Sequence, residues 1–233
     1  MCFIKILKIF VGYDKKESVA YHNFCESVIE KSTIPVEFVP LALNTLSSYT
    51  EQHKDGSNEF IYSRFLVPYL CNFEGYALYV DSDILCRIDI AEILDEIKNM
   101  KEAVKVVQHK YKTKYPIKYL GNKNDDYPKK NWSSVMLFNC NHDDCILLTP
   151  EYIQKHDGKH LHRFAWTKNV GRLPKVWNWL ALEYKYNKKA KLVHFTIGTP
   201  CFKDYYNTDY SVDWYRTFSH TINPLSGIYK SKL

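Results

Sequence analysis

Tyr76-Ala77-Leu78-Tyr79-Val80 is short, apolar and rich in β-formers, follows Glu74-Gly75, and runs straight into Asp81-Ser82-Asp83. Such a run reads as a strand buried on both faces of a mainly parallel sheet. The acids interrupt the hydrophobic stretch rather than end it, because Ile84-Leu85-Cys86 resumes it at once. Buried charges without a counter-ion are costly, and a metal ion or the nearby Arg64 would remove that cost. In an extended chain residues i and i+2 project to the same face. Asp81 and Asp83 are therefore expected to present two carboxylates to one hard cation where the strand leaves the sheet. The plainer alternative is that two aspartates after a strand begin a turn or cap a helix. Ligands of open α/β sheets sit in the crevice beyond the carboxyl ends of the strands, and a divalent ion there suits a diphosphate.

The rest of the chain alternates in the same manner. Ile4 to Val11 is a first strand ending at Gly12-Tyr13-Asp14, and Glu17 to Lys31 carries Val19, Ala20, Phe24, Val28 and Ile29 at helical spacing. Val36 to Leu43 is a second strand, which Pro40 marks as an edge or a bulge. Ser57 or Asn58 caps a helix through Ile61 and Phe65 towards Leu70, and Asp89 caps another through Ile90, Ile93, Leu94 and Ile97. Ala103 to Gln108, Ser134 to Asn139 and Leu192 to Phe195 complete the strands. Asp143 to His156 is mostly helical, with Pro150 breaking or restarting it, and the tail from Lys203 is loop and helix around Trp214. This βαβα order predicts an α/β three-layer sandwich with a mainly parallel central sheet. With no repeat and no linker, residues 1–233 read as one domain.

Composition narrows the classes. Hydrophobic residues at 45% and charged residues at 25% are an ordinary globular balance. The 19 Tyr, 12 Phe and 5 Trp serve mainly as core. The net charge of +6 favours an anionic ligand without choosing among nucleotide sugars, nucleic acid and anionic membrane surfaces. Lysines cluster between Lys98 and Lys130, interleaved with Tyr111, Tyr115, Tyr119 and Tyr127. Such a pattern fits a single-strand nucleic-acid groove, but Lys110 to Asn131 reads first as a solvated loop over the site, so no specific nucleic-acid partner is expected. The 7 cysteines are odd in number and scattered through apolar runs, as reduced thiols are. Cys140-x-His142-x2-Cys145 lacks the second half of a zinc site. Met1 to Phe10 is too short for a signal peptide, and no apolar stretch reaches the roughly 20 residues of a membrane span. A cytoplasmic location follows, with peripheral membrane contact left open.

Four segments then fall in order: Phe10-Val11-Gly12-Tyr13-Asp14, Ile61-Tyr62-Ser63-Arg64-Phe65 before the Leu78-to-Asp83 run, Leu173-Pro174-x-x-Trp177-Asn178, and His194-Phe195-Thr196-Ile197-Gly198. In this order and spacing they resemble the GT-A-fold glycosyltransferases of the glycogenin and lipopolysaccharide galactosyltransferase kind (family 8), together with short viral and bacterial relatives. The resemblance runs from about Ile4 to Tyr205. It implies a hexosyltransferase with Mn²⁺ or Mg²⁺ as cofactor and a nucleoside-diphosphate sugar, a UDP-sugar by kind, as donor. The acceptor it implies is a hydroxyl of a glycan, a lipid-linked saccharide or a protein.

The resemblance also assigns roles. Asp83 would ligate the metal, oxygen ligands matching such hard ions, while Asp81 shares it or holds the ribose, with Ser82 between them. His194 would be a third ligand, imidazole being acceptable to Mn²⁺. Arg64 would lie at the donor's diphosphate or sugar, where a guanidinium binds phosphate oxygens bidentately; otherwise it pairs with a nearby acid. Val11, Gly12, Tyr13 and Asp14 would hold the nucleotide base, with Tyr13 stacking and Gly12 allowing close approach. Trp177 and Asn178 would shape the donor-sugar side, Trp177 being equally well plain core.

Two departures from the family stand out. Trp166-Thr167-Lys168-Asn169-Val170-Gly171-Arg172 replaces its Asp-Gln-Asp stretch, and Gly198-Thr199-Pro200-Cys201 lacks its lysine after His-x-x-Gly. Diphosphate stabilisation then falls to the metal and to Arg64 or Lys203, near Gly198. An inverting reaction needs a carboxylate base, for which Asp143 and Asp144 are candidates. A retaining one would set Asn139 or Asn178 against the anomeric carbon. A phosphotransferase or dehalogenase-like hydrolase places DxD after its first strand with Thr two residues on, which this chain does not. The alternative outside enzymes is a non-catalytic module binding sugar nucleotides or nucleic acid.

Overall fold

The computed structural model describes residues 6–55 and 58–222, so Met1, Ile4 and Ser57, invoked above, lie outside the described residues. In chain order the first half runs β1 (Leu7–Gly12), α1 (Ser18–Ile29), β2 (Val36–Leu41), α2 (Val67–Leu70), β3 (Tyr76–Val80), β4 (Ile84–Cys86), α3 (Leu94–Ile97) and β5 (Val104–Val106). The second half runs β6 (Val135–Asn139), α4 (Asp143–Ile146), α5 (Pro150–Lys155), α6 (Gly158–His162), β7 (Val170–Arg172), β8 (Trp179–Leu180), β9 (Leu192–His194) and α7 (Ser211–Ile222).

Six strands form the central sheet in the order β2-β1-β3-β6-β5-β7, and three form a second sheet, β4-β9-β8. In the central sheet β2, β1 and β3 are parallel neighbours, as are β5 and β7, while β6 runs against both strands beside it. Pro40, which has no amide hydrogen to donate, sits on edge strand β2 opposite Val11.

Strand alternation divides the core into two layers. Leu7, Ile9, Val11, Leu78, Val80, Val135 and Leu137 face one side, against Phe24 and Val28 of α1 and Ile90 and Ile93 ahead of α3. Phe10, Ala77, Tyr79, Met136 and Phe138 face the other, against Phe65, Val67, Ile153 and Leu161. Burying each such side chain contributes about 1.5–3 kcal/mol over leaving it exposed. The expected three-layer α/β/α sandwich is therefore present, with β3 buried on both faces. A third cluster, which includes Leu85, Val193, Phe195 and Trp214, holds α7 against the second sheet.

Local signals succeed where a cap or a proline sets them. Asp89 accepts from Ala91 N at 2.9 Å, and Pro150 stands in the first turn of α5, capped by Thr149. The helix expected from Asn58 to Leu70 is instead a turn, a 3-10 segment over Ser63–Leu66 and one α turn whose first positions hold Pro68. Asn58 does not cap it; the residue that precedes the 3-10 segment is Tyr62, without a side-chain cap. Strands β4, β7 and β8 have two or three residues each, too few for alternation to mark them. Cys140, His142 and Cys145 do not converge: His142 Nδ1 caps Asp144 N, and Cys145 Sγ turns to Ala103 O. No helix among the described residues is long and apolar enough to cross a membrane.

Candidate functional site

Strand register builds the site. β3 ends at Val80, the chain turns over Asp81-Ser82-Asp83, and β4 then pairs Ile84 with His194 of β9. The turn is tied to both sheets: Asp81 N donates to Ser134 O, and Phe195 N donates to Asp83 O, each at 2.9 Å. The two carboxylates converge because the chain turns here, whereas the i, i+2 argument assumed an extended backbone. One ligand atom each from Asp81, Asp83 and His194 lies within 4.8 Å of the others.

The orientation of His194 can be deduced. Asn178 is fully buried, and its Nδ2 reaches Ser134 Oγ at 2.8 Å and Asn131 O at 3.2 Å. A carbonyl only accepts, so the amide nitrogen must face Asn131 and the amide oxygen must face His194 Nδ1, 3.1 Å away. Nδ1 therefore carries a proton, and Nε2 is the nitrogen that faces Asp83. Asp83 Oδ1 lies 3.2 Å from that nitrogen and is buried, yet it makes no hydrogen bond. A carboxylate oxygen and an imidazole nitrogen set this close can be bridged by a proton or by a cation. The set of two carboxylates and one imidazole fits a hard to borderline divalent cation.

Arg64 stands behind this cluster. Its Nη1 contacts Asp81 Oδ1 at 2.8 Å and Ser133 O at 3.0 Å, its Nε donates to Phe60 O, and its plane lies over the Phe60 and Tyr79 rings. Tyr79 Oη donates to the same Asp81 oxygen at 2.6 Å. Asp81 Oδ1 is thus committed to the protein, and Oδ2 has no hydrogen bond among the described residues. The reading of Arg64 as an acid's partner is met; a phosphate contact would have to share the guanidinium with Asp81.

A cleft of ≈ 540 Å³, open mouth included, lies over the turn between Glu17, Lys118, Tyr119, Lys123 and Asn131. Glu17 and Lys118 did not stand out in the sequence. Burial, then the Asp83 carboxylate, push the Glu17 carboxyl up to about 8. Burial draws the Lys118 ammonium down, against the pull of Asp83, Asp81 and Glu17. Lys118 is set by the loop over the site: Tyr119 N donates to Ile197 O at 2.9 Å, and the Tyr119 ring stacks on Phe202 at 4.9 Å. A second groove, of ≈ 590 Å³, adjoins the cleft at Asn58 and is lined by Asp14, Lys16, His53 and Tyr62.

The remaining expected residues divide. Val11 is core, and Gly12 packs so closely that an added Cβ would stand 2.5 Å from the Phe60 ring. Tyr13 meets Tyr21 edge-on, Asp14 accepts from Lys16 N and Glu59 N, and Ser82 is buried in the turn. Trp177 is core, as its plainer reading held. Asn139, Asp143 and Asp144 are misplaced as catalytic candidates. β6 is antiparallel to β3, pairing Val135 with Val80 and Asn139 with Tyr76, so their end of β6 lies about 13 Å from the Asp81 end. Asp144 there accepts from Thr167 Oγ1 and Asn169 Nδ2. Gly198 packs under Tyr205, and exposed Lys203 does not line the cleft.

Over 221 residues the chain is 38% identical to Protein CDI of Arabidopsis thaliana, an alignment covering 90% of this chain and 85% of that one. The chain belongs to the Protein CDI family. No family model matches it. This CDI relative is also similar in structure to the bifunctional glycosyltransferase WbbM, with a TM-score of 0.62 and 15% identity, over 98% of this chain and 52% of that one. It thus spans about half the length of WbbM. Mouse xyloside xylosyltransferase 1 gives a TM-score of 0.55 at 11% identity, over 84% of this chain and 100% of that one. The galactosyltransferase LgtC, solved with donor and acceptor sugar analogues, gives 0.52 at 13%, over 97% and 100%. These likenesses show that the CDI-family chain has the GT-A glycosyltransferase fold.

Proposed function

We propose that the protein is a metal-dependent glycosyltransferase, related in kind to family 8, that moves a hexose from a UDP-sugar to an acceptor hydroxyl. The observation that carries this reading is the pair Asp83 Oδ1 and His194 Nε2, 3.2 Å apart with no hydrogen bond on that oxygen. Asp81, Asp83 and His194 would hold Mn²⁺ or Mg²⁺. Such an ion supplies charge neutralisation on a leaving diphosphate.

The chain's own residues supply the rest. Asn178 fixes the imidazole tautomer, and Arg64 with Tyr79 fixes Asp81. Lys118 brings a cation to the phosphate end of the cleft, and the groove at Asp14 takes the nucleoside. In the reaction the acceptor oxygen bonds to the anomeric carbon, the bond from that carbon to the diphosphate oxygen breaks, and the hydroxyl proton passes to the departing diphosphate. Free cysteines, buried in four of the six described cases, support a reducing compartment.

The test is thermal shift with UDP and UDP-hexoses, with Mn²⁺ and with chelator, on wild type and Asp83→Ala. Metal-dependent stabilisation that disappears in Asp83→Ala is the expected result, and the ranking of sugars begins to name the donor. No stabilisation by any nucleoside diphosphate would overturn the reading.

A further inference from the structure

A groove of ≈ 1010 Å³ runs beside the cleft and shares Lys118 and Lys123 with it. Lys159 and Arg163 line its far side, and Asp55 and Asp125 are its acids. Neighbouring lysines spend their ammonium groups on the fold. Lys130 donates to Asn124 Oδ1 and Asp125 O, Lys129 to Arg163 O, and Lys114 to Leu182 O. The side chains of Lys118, Lys123, Lys159 and Arg163 make no hydrogen bond and no ion pair among the described residues. Asp55 already accepts from Tyr62 Oη at 2.6 Å. Lys118 already faces Asp83, Asp81 and Glu17 of the cleft, which leaves Lys123, Lys159 and Arg163 against the two acids of the groove, a balance that favours an anion there. Tyr127, 49% exposed on the same wall, offers a ring face for a sugar.

We infer that this groove is the acceptor subsite and that the acceptor it takes is a sugar carrying a phosphate monoester. The inference rests on the donor reading given above for the adjoining cleft. A phosphate monoester brings close to two charges and three acceptor oxygens at neutral pH, whereas a carboxylate brings one charge. Lys123, Lys159 and Arg163, with no side-chain hydrogen bond among the described residues, match the former. The phosphate takes no part in the transfer and is unchanged by it: Lys159 and Arg163 hold it at the far side, which turns the sugar's hydroxyls toward Lys118 and the cleft.

The test is isothermal titration of glucose 6-phosphate, glucose and glucuronate into the full chain under chelator, so that no metal bridges the phosphate. Wild type is compared with the double variant Lys159→Gln/Arg163→Gln, two exposed positions outside the donor cleft. Expected is glucose 6-phosphate binding at least tenfold tighter than glucose or glucuronate, with that preference lost in the double variant. Equal affinity for the three sugars, no binding of glucose 6-phosphate, or an unchanged preference in the double variant would overturn the inference. UDP with Mn²⁺ is read separately by thermal shift in both proteins. An unchanged shift in the double variant is expected, and absence of the shift in wild type sinks the donor reading while the groove is still judged on its own titration.

Discussion

Glu17 couples the cleft's electrostatics to pH, and Glu17→Gln reports on it directly. Its carboxyl is held at about 8 against an ordinary 4.5, by burial first and by Asp83 second. The folded protein thus binds this proton more tightly than the unfolded chain does. The stability so gained is complete below pH 4.5 and is lost as pH rises to about 8. At about 1.36 kcal/mol per tenfold in proton affinity, the loss across that window is at most about 5 kcal/mol. For a chain of this size it corresponds to a Tm decrease on the order of 10 °C. Other groups titrate in the same window. Burial holds His109 and His162 down to about 3, so the unfolded chain takes up their protons below the ordinary 6.5, and they act with the opposite sign. Those terms are common to wild type and variant and cancel in the difference. Differential scanning calorimetry from pH 5 to 8 under chelator should show Glu17→Gln gaining on wild type as pH rises, with the two close together at pH 5. Saturating Mn²⁺ should flatten the wild-type slope, because a cation beside Asp83 removes the repulsion on Glu17. Parallel curves for the two proteins under chelator would refute the account of Glu17 as a carboxyl kept protonated by its surroundings.

Two further substitutions test the geometry. Gly12→Ala places a Cβ 2.5 Å from the Phe60 ring, so it should cost about 1–3 kcal/mol in chemical denaturation, and Phe60→Leu in the same chain should recover much of the loss; a neutral Gly12→Ala would contradict the packing. Asn178→Ala frees the His194 ring and should weaken Mn²⁺ binding about 10–100-fold in a direct titration; an unchanged affinity would break the argument for the imidazole's orientation.

What the sequence discloses follows from which forces are local. Burial on both faces writes itself into consecutive residues, so Tyr76–Val80 was legible, and so was the cap at Asp89. Strand direction is not local. An apolar run reads the same whichever way it lies, and β6 lies antiparallel; that alone carried Asn139, Asp143 and Asp144 to the wrong end of the sheet. Asp81 and Asp83 were correctly paired on a mistaken backbone, because a turn between two sheets and an extended strand both bring i and i+2 together. His194 has no local mark at all; it came from resemblance, and its place comes from pairing with Ile84 across more than a hundred residues of chain. Glu17 read as an ordinary helix-start acid and Lys118 as one lysine among many, since the burial that perturbs both exists only once the loop from Lys110 to Asn131 folds down. The missing lysine after His-x-x-Gly has a counterpart in space: the Tyr119 contact with Ile197 brings Lys118 into the cleft. A cation absent from one place in the sequence is thereby present at the site, supplied by a segment whose composition alone would have left it to solvent.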